Sequence, residues 1–174
     1  MRLKNKILLV VLLGLITFFG YLTIIGNPLV LNISSNKITQ IQSEKKIGDT
    51  INPLENLDFK NGNWKAYLII NESDKKEIID NFKSGGCFQT NEITILENLK
   101  KNLSVKFTGG DMTTVESRLI LMKNGKIIFD MGIVLDKNKE GLQSTNYGWL
   151  EGNEKVLSSQ LKLFRKVHKP FIIL

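Results

Sequence analysis

Cysteine occurs once in this 174-residue chain, at Cys87, so no disulfide can close within it. Histidine also occurs once, at His168, alanine once, at Ala66, and proline three times, at Pro28, Pro53 and Pro170. A lone thiol and a lone imidazole exclude a cysteine–histidine zinc cluster. No G-x-x-x-x-G-K-S/T or G-x-G-x-x-G stretch is present, and no Asp-x-Asp-x-Asp-Gly run. The usual phosphate cradles and the calcium loop are therefore missing, and neither a cofactor nor a metal is expected. The scarcity of alanine beside abundant Lys, Asn and Ile is the trace of AT-rich codons and suggests a low-GC bacterium.

What the chain does have is a long uncharged run. Ile7 to Ile25 reads ILLVVLLGLITFFGYLTII, directly after Arg2, Lys4 and Lys6. A bilayer core needs about 20 apolar residues rising ~1.5 Å each, which this run supplies. No polar face interrupts it, as a buried helix of a soluble domain would show. A cleaved signal peptide has a shorter apolar region, about 7–15 residues, and a small-x-small ending. Here the run is longer and its end, Ile24-Ile25-Gly26, is a poor cleavage site, so a signal-anchor is expected. The basic flank places the N-terminus in the cytoplasm. Residues 1–6 are then the cytoplasmic N-terminus and 7–26 the transmembrane anchor. Residues 27–58, polar with isolated apolar positions and two prolines, read as a stalk with a short strand around Lys37–Gln42, and 59–174 as an extracytoplasmic domain held at the cell membrane.

Charge says little about partners. Removing Arg2, Lys4 and Lys6 from a formal net charge of +7 leaves +4 on the exported part. That is ordinary for solubility and does not select nucleic acid. The three Asn-x-Ser sequons, at Asn32, Asn71 and Asn102, matter only in a eukaryotic secretory pathway.

Beyond the anchor the periodicities alternate between strand and helix. Trp64–Ile70 (WKAYLII) reads as a strand. Asn71 or Ser73 can cap a helix with Ile78, Ile79 and Phe82 on one face, ended by Gly85-Gly86. Cys87-Phe88 is a short extended piece, and Ile93, Leu96, Leu99 and Leu103 are spaced for a second helix. Leu103 to Phe107 alternates like a strand.

Asn124-Gly125 between two β-prone runs marks a hairpin, since a type I′ turn needs positive φ at both central residues. Its register predicts one face with Met122/Ile127, Ile120/Phe129, Arg118/Met131, Glu116/Ile133 and Thr114/Leu135, turned towards the helices. The other carries Leu121/Ile128, Leu119/Asp130, Ser117/Gly132, Val115/Val134 and Thr113/Asp136, and is expected to meet water or a loop. Asn153 can cap a last helix holding Val156, Leu157, Leu161, Phe164 and Val167. Phe171–Leu174 can add a closing strand. The fold class is α+β: a mostly antiparallel sheet with helices packed on one face, preceded by one N-terminal transmembrane helix.

Candidate chemistry is sparse. Cys87 and His168 form the one conceivable thiol–imidazole pair, but neither sits in a signature of nucleophilic catalysis. Asp111, Glu116, Asp130 and Asp136 are the acids of the hairpin region; Asp130 and Glu116 fall on opposite faces, and an ion pair of Arg118 with Glu116 accounts for both residues. Tyr147 and Trp149, two apart in a polar loop, can present aromatic rings to a sugar or a partner protein, although packing on the sheet is the commoner fate of such rings. Tyr147, Trp149, Arg118 and Glu116 are thus the candidate binding residues. The expectation is a non-catalytic binding or interaction domain that contacts an envelope protein, a peptide or a cell-wall polymer. An envelope hydrolase using the hairpin carboxylates, or a membrane-bound immunity-type protein, are the alternatives.

Overall fold

In the computed structural model, residues 3–32, 46–76, 78–110, 115–144, 148–153 and 155–174 are described. The uncharged run lies within helix α1, Leu3–Ile25, about 34 Å long at the standard rise. It is apolar all round, and among its side chains Leu22 alone is buried. The hydroxyls of Thr17 and Thr23 donate to carbonyls one turn back, Leu13 at 3.0 Å and Phe19 at 2.8 Å, so both are satisfied within the helix. The helix is long and apolar enough to cross a membrane. Gly26, at φ +66°, ends it, and the Asn27 N–H reaches back to the Leu22 carbonyl.

The chain then builds β1 (Leu29–Leu31), β2 (Thr50–Ile51), β3 (Trp64–Ile70), β4 (Gly86–Thr90), α2 (Ile93–Asn102), β5 (Val105–Phe107), β6 (Arg118–Lys123) and β7 (Lys126–Leu135). It closes with β8 (Glu140–Ser144), β9 (Gly148–Gly152), α3 (Val156–Leu161), β10 (Arg165–Lys166) and β11 (Phe171–Ile173). Among the described residues nine strands form one antiparallel sheet, ordered β10-β4-β3-β6-β7-β8-β9-β5-β2. The α+β expectation holds: α2 and α3 lie on one face, where Leu96, Leu99, Leu157 and Leu161 join Phe59, Leu68, Phe82, Leu121 and Phe129 in a continuous core. From the segment expected as a stalk, β1 and β2 pair with other strands, and Leu54 is fully buried in that core. The short strand expected near residues 37–42 lies outside the described residues.

Three local expectations are corrected. The helix expected after Ser73 is two 3₁₀ turns, Ser73–Lys76 and Asp80–Phe82. Asn71 Oδ1 takes the Ser73 N–H at 3.0 Å, an Asx turn that competes with helical bonding, and Ile78 pairs with Asp136 at the end of the hairpin. The last helix stops at Leu161 instead of running to Val167. Arg165 and Lys166 pair with Gln89 and Phe88 of β4, so the open edge of β4 takes up residues with helical spacing.

The third correction is the hairpin register. Asn124 and Gly125 do have φ of +52° and +77°, and Met122 faces Ile127. A bulge follows, so that Leu121 pairs with Phe129, Ile120 with Asp130, Leu119 with Met131 and Arg118 with Gly132. One extra residue, Ile128, reverses the faces of β6 relative to the expected pairing. Ile127 is thereby buried on one side of the sheet and Phe129 on the other, which an unbulged strand forbids. The expectation that Phe129 meets the helices stands. Leu119 and Leu121 join it there, and Ile120 and Met122 turn to the second face.

That second face is not left to water along β3, β4 and the near end of the hairpin. Tyr67, Cys87, Ile120, Met122 and Ile127 are covered by Val167, Ile172 and Leu174. The covering segment includes β11, which pairs in parallel with β1 as a separate two-stranded ribbon.

Candidate functional site

Arg118 and Glu116 do not pair. The bulge turns Arg118 towards Asp130, and the guanidinium holds that carboxylate in a two-pronged bond, Nε to Oδ1 at 2.9 Å and Nη2 to Oδ2. Glu116 instead accepts from Ser73 Oγ at 3.1 Å. It belongs to a polar knot in which buried Ser117 receives the Asn71 N–H on its hydroxyl, at 3.0 Å, and gives its own N–H to Asp74, at 2.8 Å. The knot ties the exit of β3 to the entry of β6. Asp111 lies outside the described residues.

Trp149 is 4% exposed. Its ring lies against Gly141, where a side-chain carbon would collide with it, and the Lys139 ammonium stands 4.5 Å above the ring centroid. Glycine at 141 is therefore needed for the indole to lie flat on the sheet. Tyr147 lies outside the described residues.

Cys87 and His168 turn to different partners. The thiol is buried in the second-face cluster, burial pushes its pKa up to about 12, and its contact is the Phe88 carbonyl at 3.8 Å. A neutral buried thiol is a poor nucleophile. His168 is exposed, with Nδ1 3.1 Å from the Thr23 carbonyl at the end of α1.

Two concavities stand out. One, about 360 Å³ and polar, lies between Asp136–Glu140 on one side and Glu151, Gly152 and Lys155 on the other. Glu140, 4% exposed, accepts the Ser158 N–H at 3.2 Å in the first turn of α3, while its other oxygen has no partner among the described residues. The other is a groove of about 470 Å³ at the ends of β3, β4 and β6, lined by Trp64, Lys65, Tyr67, Ile93, Met122 and Ile173. Trp64 is fixed by two bonds from Nε1, to the Asp58 and Asn61 carbonyls at 2.8 and 2.9 Å, and by an edge-on contact with Phe59 at 4.8 Å. Lys123 and Lys65 lie over the Trp64 and Tyr67 rings at 5.2 and 5.8 Å. Burial, then the neighbouring Cys87, raises the Tyr67 hydroxyl pKa, so the phenol stays a neutral donor and acceptor.

Sequence reasoning missed this groove because its residues come from four separate stretches of chain. The one local signal is WKAYLII, whose two aromatics stand three apart and so lean to opposite faces of β3. Among the described residues no group of three or more His, Cys, Asp or Glu is placed to hold a metal. No family model matches the chain, and no curated protein or solved structure matches it.

Proposed function

We propose that the chain is a membrane-anchored binding module of a bacterial envelope, with α1 as the signal-anchor, the N-terminus cytoplasmic and the α+β domain outside. Its ligand is an extended peptide segment of an envelope protein. The observation that carries this reading is the groove beside β11. Leu29 donates to Pro170, and Leu174 to Leu31, so alternate residues of β11 direct their polar groups to β1. The main-chain groups of Phe171 and Ile173 then face the other side of the strand, where an added strand can pair. Ile173 itself lines the groove, which supplies a side-chain pocket flanked by Trp64, Tyr67 and Met122. Main-chain pairing for affinity and a pocket for specificity is the strand-addition mode of peptide recognition. Two of the hairpin carboxylates considered for acid–base work have structural partners instead, Asp130 on Arg118 and Glu116 on Ser73.

Two experiments test the reading. The full-length protein should stay with membranes through an alkaline carbonate wash, and protease added to wall-stripped cells should digest its domain; a soluble protein, or a protected domain, would remove the anchor or reverse its orientation. Ile93→Arg combined with Ile173→Arg should abolish the phenotype that the intact gene confers, while Cys87→Ala and Glu116→Gln preserve it. A folded Glu116→Gln protein that lost the phenotype would instead support the hydrolase reading.

A further inference from the structure

Several contacts join the domain to α1 itself. The Cys87 N–H donates to the Gly26 carbonyl at 3.2 Å, the Lys166 stem lies over Gly26, and His168 reaches the Thr23 carbonyl. Leu22 is buried, three residues before the end of α1 and thus about 4.5 Å further along its axis. A domain in contact with the last turn of a spanning helix cannot stand off on a tether. Its adjoining surface must reach the level of the lipid headgroups.

That surface has the composition the headgroup layer selects. Register pairs Leu29 with Phe171 and Leu31 with Ile173, so these four side chains share the side of the ribbon opposite to buried Ile172. They are 42%, 47%, 45% and 54% exposed. Leu29 follows the end of α1 by four residues and Phe171 follows His168 by three, so this apolar face begins beside the helix terminus. Exposed His168 and Lys169 border it, next to partly exposed Lys166. Apolar residues rimmed by cations form an interfacial surface, inserting to about 5–10 Å and attracted to anionic lipid.

We infer that the β1–β11 ribbon is a second membrane contact, seated by Leu29 and Phe171 in the headgroup layer of the leaflet that α1 leaves. The occupant is lipid. The inference rests on α1 spanning the bilayer, and it fixes the height and tilt of the domain, which α1 alone would leave free.

The test uses the full-length chain in vesicles of phosphatidylcholine and phosphatidylglycerol. Single cysteines carrying an environment-sensitive fluorophore are placed by Leu29→Cys, Phe171→Cys, Leu12→Cys and Lys106→Cys, and nitroxide-bearing lipids serve as quenchers. Buried Cys87, whose thiol stays protonated, can remain in place. Shallow nitroxides should remove on the order of half the emission at positions 29 and 171, as expected for a label within about 5–10 Å of the headgroup boundary. Emission at position 106, exposed on β5 near the opposite edge of the sheet from β4, should be unaffected, and position 12 should respond to deep nitroxides. Quenching at 12 with 29 and 171 no more quenched than 106 would overturn the ribbon contact and leave the anchor standing. No quenching at 12 would overturn both. Two ribbon positions are labelled so that a fold defect in one variant, detected by a shift in Trp64 emission, does not decide the result.

Discussion

The two faces of the sheet are covered by different kinds of chain. On one, α2, α3 and the 3₁₀ turns bring in Leu96, Leu99, Phe82 and Leu157, all from segments adjacent in sequence to the strands they cover. On the other, the cover is a ribbon made from the two ends of the domain, β1 just after α1 and β11 at the C-terminus. Further along that face the cover ends, and the sheet carries the Arg118–Asp130 pair and Trp149 under Lys139. The first arrangement makes a core. The second leaves an edge, a groove and an exposed apolar side, the features with which a protein contacts something else.

The largest effect that would sharpen this contrast is the cost of a cavity on each face. Phe82→Ala should lower stability by about 3–5 kcal/mol, because a fully buried ring is removed from a core that cannot close around the space. Ile172→Ala should cost only about 2 kcal/mol, the low end for a buried aliphatic side chain, since a two-stranded ribbon can settle onto the sheet. Urea midpoints measure both, and equal losses would make the ribbon as much core as the helices.

Alkaline pH probes the second face alone. The Cys87 thiol ionises near 9.0 when free and stays protonated in the fold up to about 12. Between those values the unfolded chain gives up a proton that the folded chain keeps, so stability falls as pH rises. The loss is on the order of 2–4 kcal/mol across the window, at ~1.4 kcal/mol per pH unit. Cys87→Ala should remove most of the decline between about pH 8 and about pH 11 in urea titrations. A smaller decline should remain from Tyr67, whose raised hydroxyl pKa acts with the same sign above 10.0. An unchanged profile would mean that water reaches the thiol and the ribbon cover is open.

Smaller still is the turn that sets which residues go to which face. Gly125 has φ +77° and open space around it, so Gly125→Val meets no neighbour and pays only for its backbone, about 1–2 kcal/mol. The smallest pair of effects compares two arginines. Arg118→Ala, which strands the mostly buried Asp130 carboxylate, should cost about 1–2 kcal/mol, and Arg165→Ala, from an exposed pair with Glu92, no more than about 0.5 kcal/mol.

Much of the first face was legible in the sequence. WKAYLII, the stripe of Leu96, Leu99 and Leu103, and the Asn124-Gly125 turn are local signals, and each formed the element expected. The second face was not, because its construction depends on distant partners. A bulge at Ile128 carries no residue signal, yet it reversed β6 and moved Arg118 from Glu116 to Asp130. Arg165 and Lys166 kept helical spacing and were taken into a strand by the edge of β4. The candidate site shared that fate: Arg118, Glu116 and Trp149 are packed or paired, and the groove is assembled from residues as far apart as Trp64 and Ile173.

The central claim is that the protein acts through the face closed by its own chain ends. The direct measurement sets two double variants of the full-length protein against each other in the cell that carries the gene. Ile93→Arg with Ile173→Arg alters the groove; Asn98→Arg with Lys101→Glu alters the exposed side of α2. Both should keep the urea midpoint of the unaltered domain, and only the groove variant should lose the phenotype. Loss confined to the α2 variant, or a groove variant that is folded and fully active, would contradict the account.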